Sequence, residues 1–179
     1  LPESKAVADY YARQRAVPAD QVFGFKLNTG SGFSRAEYQE ELLNPLVAAL
    51  KAKKLVKFGP VPLPGTNGQA LHTERRIIEA RIRYVLLCYG VPWRITEDPS
   101  LVESEAETLR PELRRNEAAV DSELACLAIC ERPYRLSGLI ANPAYAWTNA
   151  AWFHPTNGIV MVTRLDGPDP RFGMLAPLA

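Results

Sequence analysis

The sequence predicts an α/β fold, with a mostly parallel sheet and helices on both faces, on three observations. Ile82-Arg83-Tyr84-Val85-Leu86-Leu87-Cys88-Tyr89 is a nearly continuous apolar run of strand length, the pattern of a strand covered on both sides. Ile159-Val160-Met161-Val162 is a second such run. The segments between strand-like stretches carry a helical apolar period, and alternating helices and strands imply parallel strands joined by helical crossovers.

The first helix is expected from a Ser4 cap to about Arg15, with Val7, Tyr10 and Tyr11 on one stripe. Val17-Pro18 stops it, because proline restricts the residue before it. Val22-Phe23-Gly24-Phe25-Lys26-Leu27 reads as a strand, and Asn28-Thr29-Gly30-Ser31-Gly32 as a loop. Ser34-Arg35-Ala36-Glu37 is a capping box ahead of Tyr38, Leu42, Leu46 and Leu50, an apolar residue at every fourth position. Pro45 falls inside this pattern, so the helix should kink there or restart with the proline in its first turn. Residues 55–72, with Pro60, Pro62, Pro64, Gly65 and Gly68, read as an inserted surface loop, followed by a short helix from about Thr73 to Ala80. The strand at 82–89 ends in Gly90-Val91-Pro92, where glycine relieves a tight turn and proline fixes it. A helix starting near Asp121 is marked by Val120, Leu124 and Leu127, and an acidic first turn suits its dipole. Thr156-Asn157-Gly158 is a turn before the last strand, which ends in Thr163-Arg164-Leu165-Asp166-Gly167. The chain is read as a single, Rossmann-like domain over 1–179, incomplete because it begins at Leu1 and ends where a further element would start.

Composition narrows the classes of function. The 179 residues are 47% hydrophobic and 23% charged, globular proportions that argue against disorder. Twenty-one Lys and Arg against 20 Asp and Glu give a net charge of +1, which argues against nucleic-acid binding. The basic run Arg110, Arg114, Arg115 is offset by Glu105, Glu107, Glu112 and Glu117. No apolar run approaches the roughly 18 residues needed to span a bilayer. Compartment, export included, and oligomeric state are left open. Cys88, Cys126 and Cys130 form no disulfide framework, and with only His72 and His154 available no metal ligand set or cofactor is expected. No phosphate-binding glycine motif occurs.

Candidate site residues cluster at the strand ends, where open α/β sheets hold their ligands. Arg164 follows a buried strand, so its charge must find a partner: it would either clamp an anionic ligand or pair with Asp121 or Asp166. Arg94 invites the same two readings. Asp121, Glu123 and Asp166 would serve as a carboxylate cluster for metal or acid–base work, or else as a cap, a solvated side chain and a turn. Cys88 with His154 is a conceivable nucleophile and base, against a core thiol and a surface histidine. Tyr145, Trp147, Trp152 and Phe153 would line a groove or form a satellite core.

Taken together, Tyr10-Tyr11, Arg15, Val17-Pro18, Ser34-Arg35, Tyr38, Tyr89-Gly90-Val91-Pro92-Trp93-Arg94-Ile95, Val120-Asp121-Ser122-Glu123-Leu124, Asn142-Pro143 and Thr163-Arg164-Leu165-Asp166-Gly167 resemble a bacterial family of unknown activity designated only by a number. The resemblance is collinear over most of the chain. It implies a strand before the first helix and further elements after the Arg-Leu-Asp-Gly turn. More distantly the chain resembles gingipain-type cysteine peptidases of caspase-like fold. That likeness implies that a His-Gly and a strand-end Cys lie beyond Ala179, since His72 precedes Thr73 and His154 precedes Pro155. Two functions are therefore expected. One is a hydrolase-like, peptidase-like domain completed outside this chain. The other is a non-catalytic domain binding a small molecule, a peptide or a protein, marked by an exposed aromatic groove at Trp147 and Trp152.

Overall fold

Residues 1–63, 72–101, 103–131 and 135–167 are described by the computed structural model of the chain, and they combine helices with short strands, the α/β class expected. Helix α1 spans Pro2–Gln14. Pro2 sits in its first turn, where a missing N–H is harmless, so Ser4 lies inside the helix and does not cap it. Val7 is fully buried with Tyr10 and Tyr11 partly so, which is the anticipated stripe. From 22 to 27, Phe23, Phe25 and Leu27 are half-buried while Val22, Gly24 and Lys26 are exposed. The alternation is that of a strand and the Phe23 and Phe25 rings stack at 6.4 Å, but no ladder among the described residues includes this segment, which corrects the expected strand.

Strand β1 is Gly32–Phe33. Helix α2 (Arg35–Glu37) opens on the predicted capping box: the Glu37 N–H donates to the Ser34 hydroxyl at 3.2 Å and the Ser34 N–H to the Glu37 carboxylate at 2.7 Å. A wide π turn over Tyr38–Leu43 then leads into α3 (Asn44–Ala52), with Pro45 in its first turn. Proline has no N–H for the carbonyl of Glu41, and the wider turn comes just before it. Of the kink and the restart that the sequence left open, the second comes nearer: Pro45 sits in a first turn, while the backbone stays helical through Leu43 and Asn44. Tyr38, Leu42, Leu46 and Leu50 are each no more than 5% exposed.

The loop and short helix expected over 55–80 are instead an antiparallel hairpin of β2 (Val56–Leu63) and β3 (His72–Ala80). The prolines misled because Pro60 and Pro62 are two apart and so share one edge of the strand, where a missing N–H can face away from the partner. Thr73 to Ala80 has helical propensity, and pairing with β2 overrides it. A bulge between Lys57 and Phe58 lets Phe58 and Ile77 turn into the core at 8% and 1% exposure. Pro64, Gly65 and Gly68 lie outside the described residues.

Strand β4 (Tyr84–Leu87) pairs in parallel with the final strand, β7 (Met161–Arg164), with Leu87 opposite Arg164. Between them come β5 (Arg94–Ile95), β6 (Ala118–Ala119) and α4 (Val120–Ala125). β5 pairs in parallel with β1 and antiparallel with β6. The described residues thus form three small sheets, two of them containing a parallel pair. Phe33, Leu50, Leu55, Leu87, Ile95, Val120, Leu124, Leu127 and Val160 close one core between them. Tyr84, by contrast, is 62% exposed, so the 82–89 run is buried mainly at its Leu87 end.

Glu103 ties the irregular stretch after β5 to the stretch after α4. Its carboxylate accepts from the Leu136 and Ser137 N–H groups, both at 2.8 Å, and from the Ser137 hydroxyl. Burial pushes this carboxyl up, but the Ser137 hydroxyl, the two N–H groups and the Arg135 charge outweigh it and hold it below the usual range. A depressed carboxyl stabilises the fold above its unfolded value and loses that contribution as the pH falls through the folded value. Glu103→Gln should therefore lower the urea midpoint at pH 7 and flatten the decline in stability below about pH 4.5. A mutant whose acid limb matches the wild type would show that Glu103 is not part of that decline.

Candidate functional site

Arg164, Asp121 and Asp166 converge on one end of the β4–β7 pair. The Arg164 guanidinium forks onto Asp121, Nη2 donating to Oδ1 at 3.0 Å and Nε to Oδ2 at 3.3 Å. Nη2 also donates to the Pro92 carbonyl at 3.2 Å, and Nη1 to the Val91 carbonyl and to Asp166 at 3.5 Å. Guanidinium has five N–H bonds, and all five are directed at acceptors within the chain. The side chain is only 15% exposed. Its neighbours complete the tie: the Val120 N–H donates to the Trp93 carbonyl at 3.0 Å and the Leu165 N–H to the Leu87 carbonyl at 2.8 Å. Gly90, with φ +82°, makes the turn that aims the Val91 and Pro92 carbonyls. The Asp166 carboxylate also takes the N–H of the next residue, Gly167, at 2.9 Å.

Arg94 stands apart from this group. Its register partners are Gly32 on one side and Ala119 on the other. Its exposed guanidinium lies 5.3 Å from the centre of the Trp93 ring.

Glu123 does not join Asp121 and Asp166 in a carboxylate cluster. Two residues apart on a helix point to nearly opposite sides, so Asp121 meets β7 while Glu123 turns inward to Arg35 at 2.8 Å. Both side chains of that pair are nearly fully buried, at 5% and 9% exposure. Arg35 also donates to the Asn116 carbonyl, and its buried Nε has no acceptor among the described residues. The Asn116 side chain in turn pins 98–101, accepting from the Asp98 N–H at 2.9 Å and donating to the Asp98 and Leu101 carbonyls. Sequence reasoning did not single out the Arg35–Glu123 pair. Its signal was present: Glu123 is i+3 from Val120 and Arg35 is i−3 from Tyr38, so each charge falls within an apolar stripe.

No hydrogen bond joins the thiol of Cys88 to His154. His154 caps the turn Pro155–Asn157, its Nδ1 lying 2.8 Å from the Thr156 hydroxyl. Burial raises the Cys88 thiol, and burial with the neighbouring Glu131 charge pushes Cys130 up to about 11. Thiols so placed stay protonated at neutral pH and are poor nucleophiles. Among the described residues no group of three or more His, Cys, Asp or Glu side chains is placed to hold a metal ion, and no helix is long and apolar enough to cross a membrane. The aromatic segment behaves differently. Trp147 packs edge-on against Trp152 at 5.3 Å and lies 6.3 Å from Phe153, while Trp152 is 55% exposed, Tyr145 84% and Leu139 83%.

No family model, curated protein or solved structure matches the chain.

Proposed function

We propose that this chain is a binding domain that takes an extended, apolar peptide on its aromatic segment, residues 139–153. The observation that carries this reading is the contrast between its two candidate surfaces. The Arg164 guanidinium spends its hydrogen bonds on Asp121, Asp166 and the Val91 and Pro92 carbonyls, whereas Trp152, Tyr145 and Leu139 remain in water. Exposed apolar residues concentrated in one segment favour association. Trp and Tyr give large contact area at low entropic cost, and the Trp147–Trp152 contact fixes one ring before a ligand arrives. Selection from a random 12-residue peptide library should enrich apolar sequences, and Trp152→Ala should weaken their binding by about tenfold or more, a hot-spot loss. Failure to enrich any sequence, or equal binding by the mutant, would overturn the assignment.

A second reading is favoured by the parallel pairing of β4 with β7, with α4 between them in the chain. These two strands would belong to a larger, mostly parallel Rossmann-like or caspase-like sheet, and the chain to the bacterial family it resembles. The domain would then be hydrolase-like and its chemistry would follow the Arg164-Leu165-Asp166-Gly167 turn. On this reading the native coding sequence carries a His-Gly and a strand-end Cys after that turn. A sequence without them ends the peptidase version.

A further inference from the structure

The end of α3 and the β2–β3 hairpin enclose an open groove of about 490 Å³, built from residues other than the aromatic segment. Leu55 and Phe58, both nearly buried, line it from the core side, and the Lys51 ammonium lies 4.9 Å over the Phe58 ring. Around it stand Lys51, Lys54, Lys57, Arg75 and Arg81, against the one lining carboxylate of Glu79. This is a strong local excess in a chain of net charge +1. Lys57 is neutralised by Glu79 at 2.6 Å, and Lys51 and Arg75 share Glu131. Lys54 and Arg81 have no carboxylate partner among the described residues. The Arg81 N–H donates to the Leu55 carbonyl at 2.8 Å, which holds the backbones of these two cationic positions together.

Helix polarity accounts for basic residues at the end of α3, but not for those on the hairpin. Nor does folding account for Lys54. The Leu55 N–H donates to the Leu50 carbonyl at 2.9 Å and closes the helix end, which places Lys54 in the left-handed region at φ +53°. Glycine is the residue that position favours. Lysine there is strained and its side chain is exposed, so the fold gains nothing from it.

We propose that this groove binds a phosphorylated small molecule, its phosphate dianion held by Lys54 and Arg81 and its organic body lying in the groove beside them. Arginine supplies a fork for two phosphate oxygens and lysine a mobile point charge. The volume is within the range of small-molecule sites.

The test titrates the chain with phenyl phosphate and with inorganic phosphate by calorimetry, in low salt. Phenyl phosphate should bind saturably and tighter than inorganic phosphate by about tenfold, from burial of its ring. Arg81→Gln and Lys54→Gly should each weaken it by about fivefold or more, the loss of one charge-assisted contact. Lys54→Gly should at the same time raise the melting temperature by roughly 2–5 °C, because it relieves the strained φ. Weaker binding in a more stable protein cannot be ascribed to misfolding. Absence of saturable binding, unchanged affinity in both mutants, or binding confined to phosphatidylserine vesicles or to single-stranded DNA would each overturn the proposal.

Discussion

Glu123→Ala is expected to lower the free energy of unfolding by about 3–5 kcal/mol, the cost of stranding one member of a buried ion pair. Arg35 is 5% exposed on its side chain, so water cannot replace the lost carboxylate, and its Nε already lacks an acceptor among the described residues. Removing Glu123 leaves a buried guanidinium with the Asn116 carbonyl as its one acceptor among the described residues. For a domain stable by about 5–15 kcal/mol this is a large fraction of the total. Replacing both partners, Arg35→Met with Glu123→Leu, should restore most of the loss, because desolvating two charges nearly cancels their attraction. Urea unfolding checks both, with a lower midpoint and an unchanged slope expected for the single mutant. A single-mutant loss below about 1 kcal/mol would mean that the pair is hydrated in solution.

Arg164→Ala is expected to cost about 2–4 kcal/mol, from unmade hydrogen bonds to partly buried acceptors. The effect should be smaller than that of Glu123→Ala because Asp121 and Asp166 are 39% and 29% exposed and can rehydrate. The Val91 and Pro92 carbonyls, aimed inward by the Gly90 turn, lose their donors. Arg164→Lys should recover less than half of the loss, since an ammonium has three donors and no planar fork. Hydrogen exchange gives a local readout. The Val120 and Leu165 amides, bonded to Trp93 and Leu87, should lose protection in the alanine mutant before the amides of α3 do. Equal loss across the chain would mean that Arg164 is not a local tie.

These two ion pairs hold α4 from opposite sides. Arg35 reaches Glu123 from α2, and Arg164 reaches Asp121 from β7. A helix of six residues has little stability of its own. The sequences that stood out at the strand ends therefore position a short helix against the core.

Local chemistry was legible in the sequence. The Ser34–Glu37 capping box, the Tyr38-Leu42-Leu46-Leu50 stripe, the place of Pro45 in a first turn and the Gly90 turn each depend on neighbours within a turn or two, and each was found where it was expected. The second of the two readings of Arg164, pairing with Asp121 or Asp166, is the arrangement found. Tertiary structure alone decided the rest. Val22–Leu27 alternates like a strand and has no ladder among the described residues, since pairing requires a partner edge that alternation cannot announce. Thr73–Ala80 has helical propensity and is a strand, because pairing with β2 is worth more than propensity. The partner of Arg35 was also beyond the sequence. Arg35 and Glu123 are 88 positions apart, and only chain closure could show that two charges set in separate apolar stripes would neutralise each other in one core.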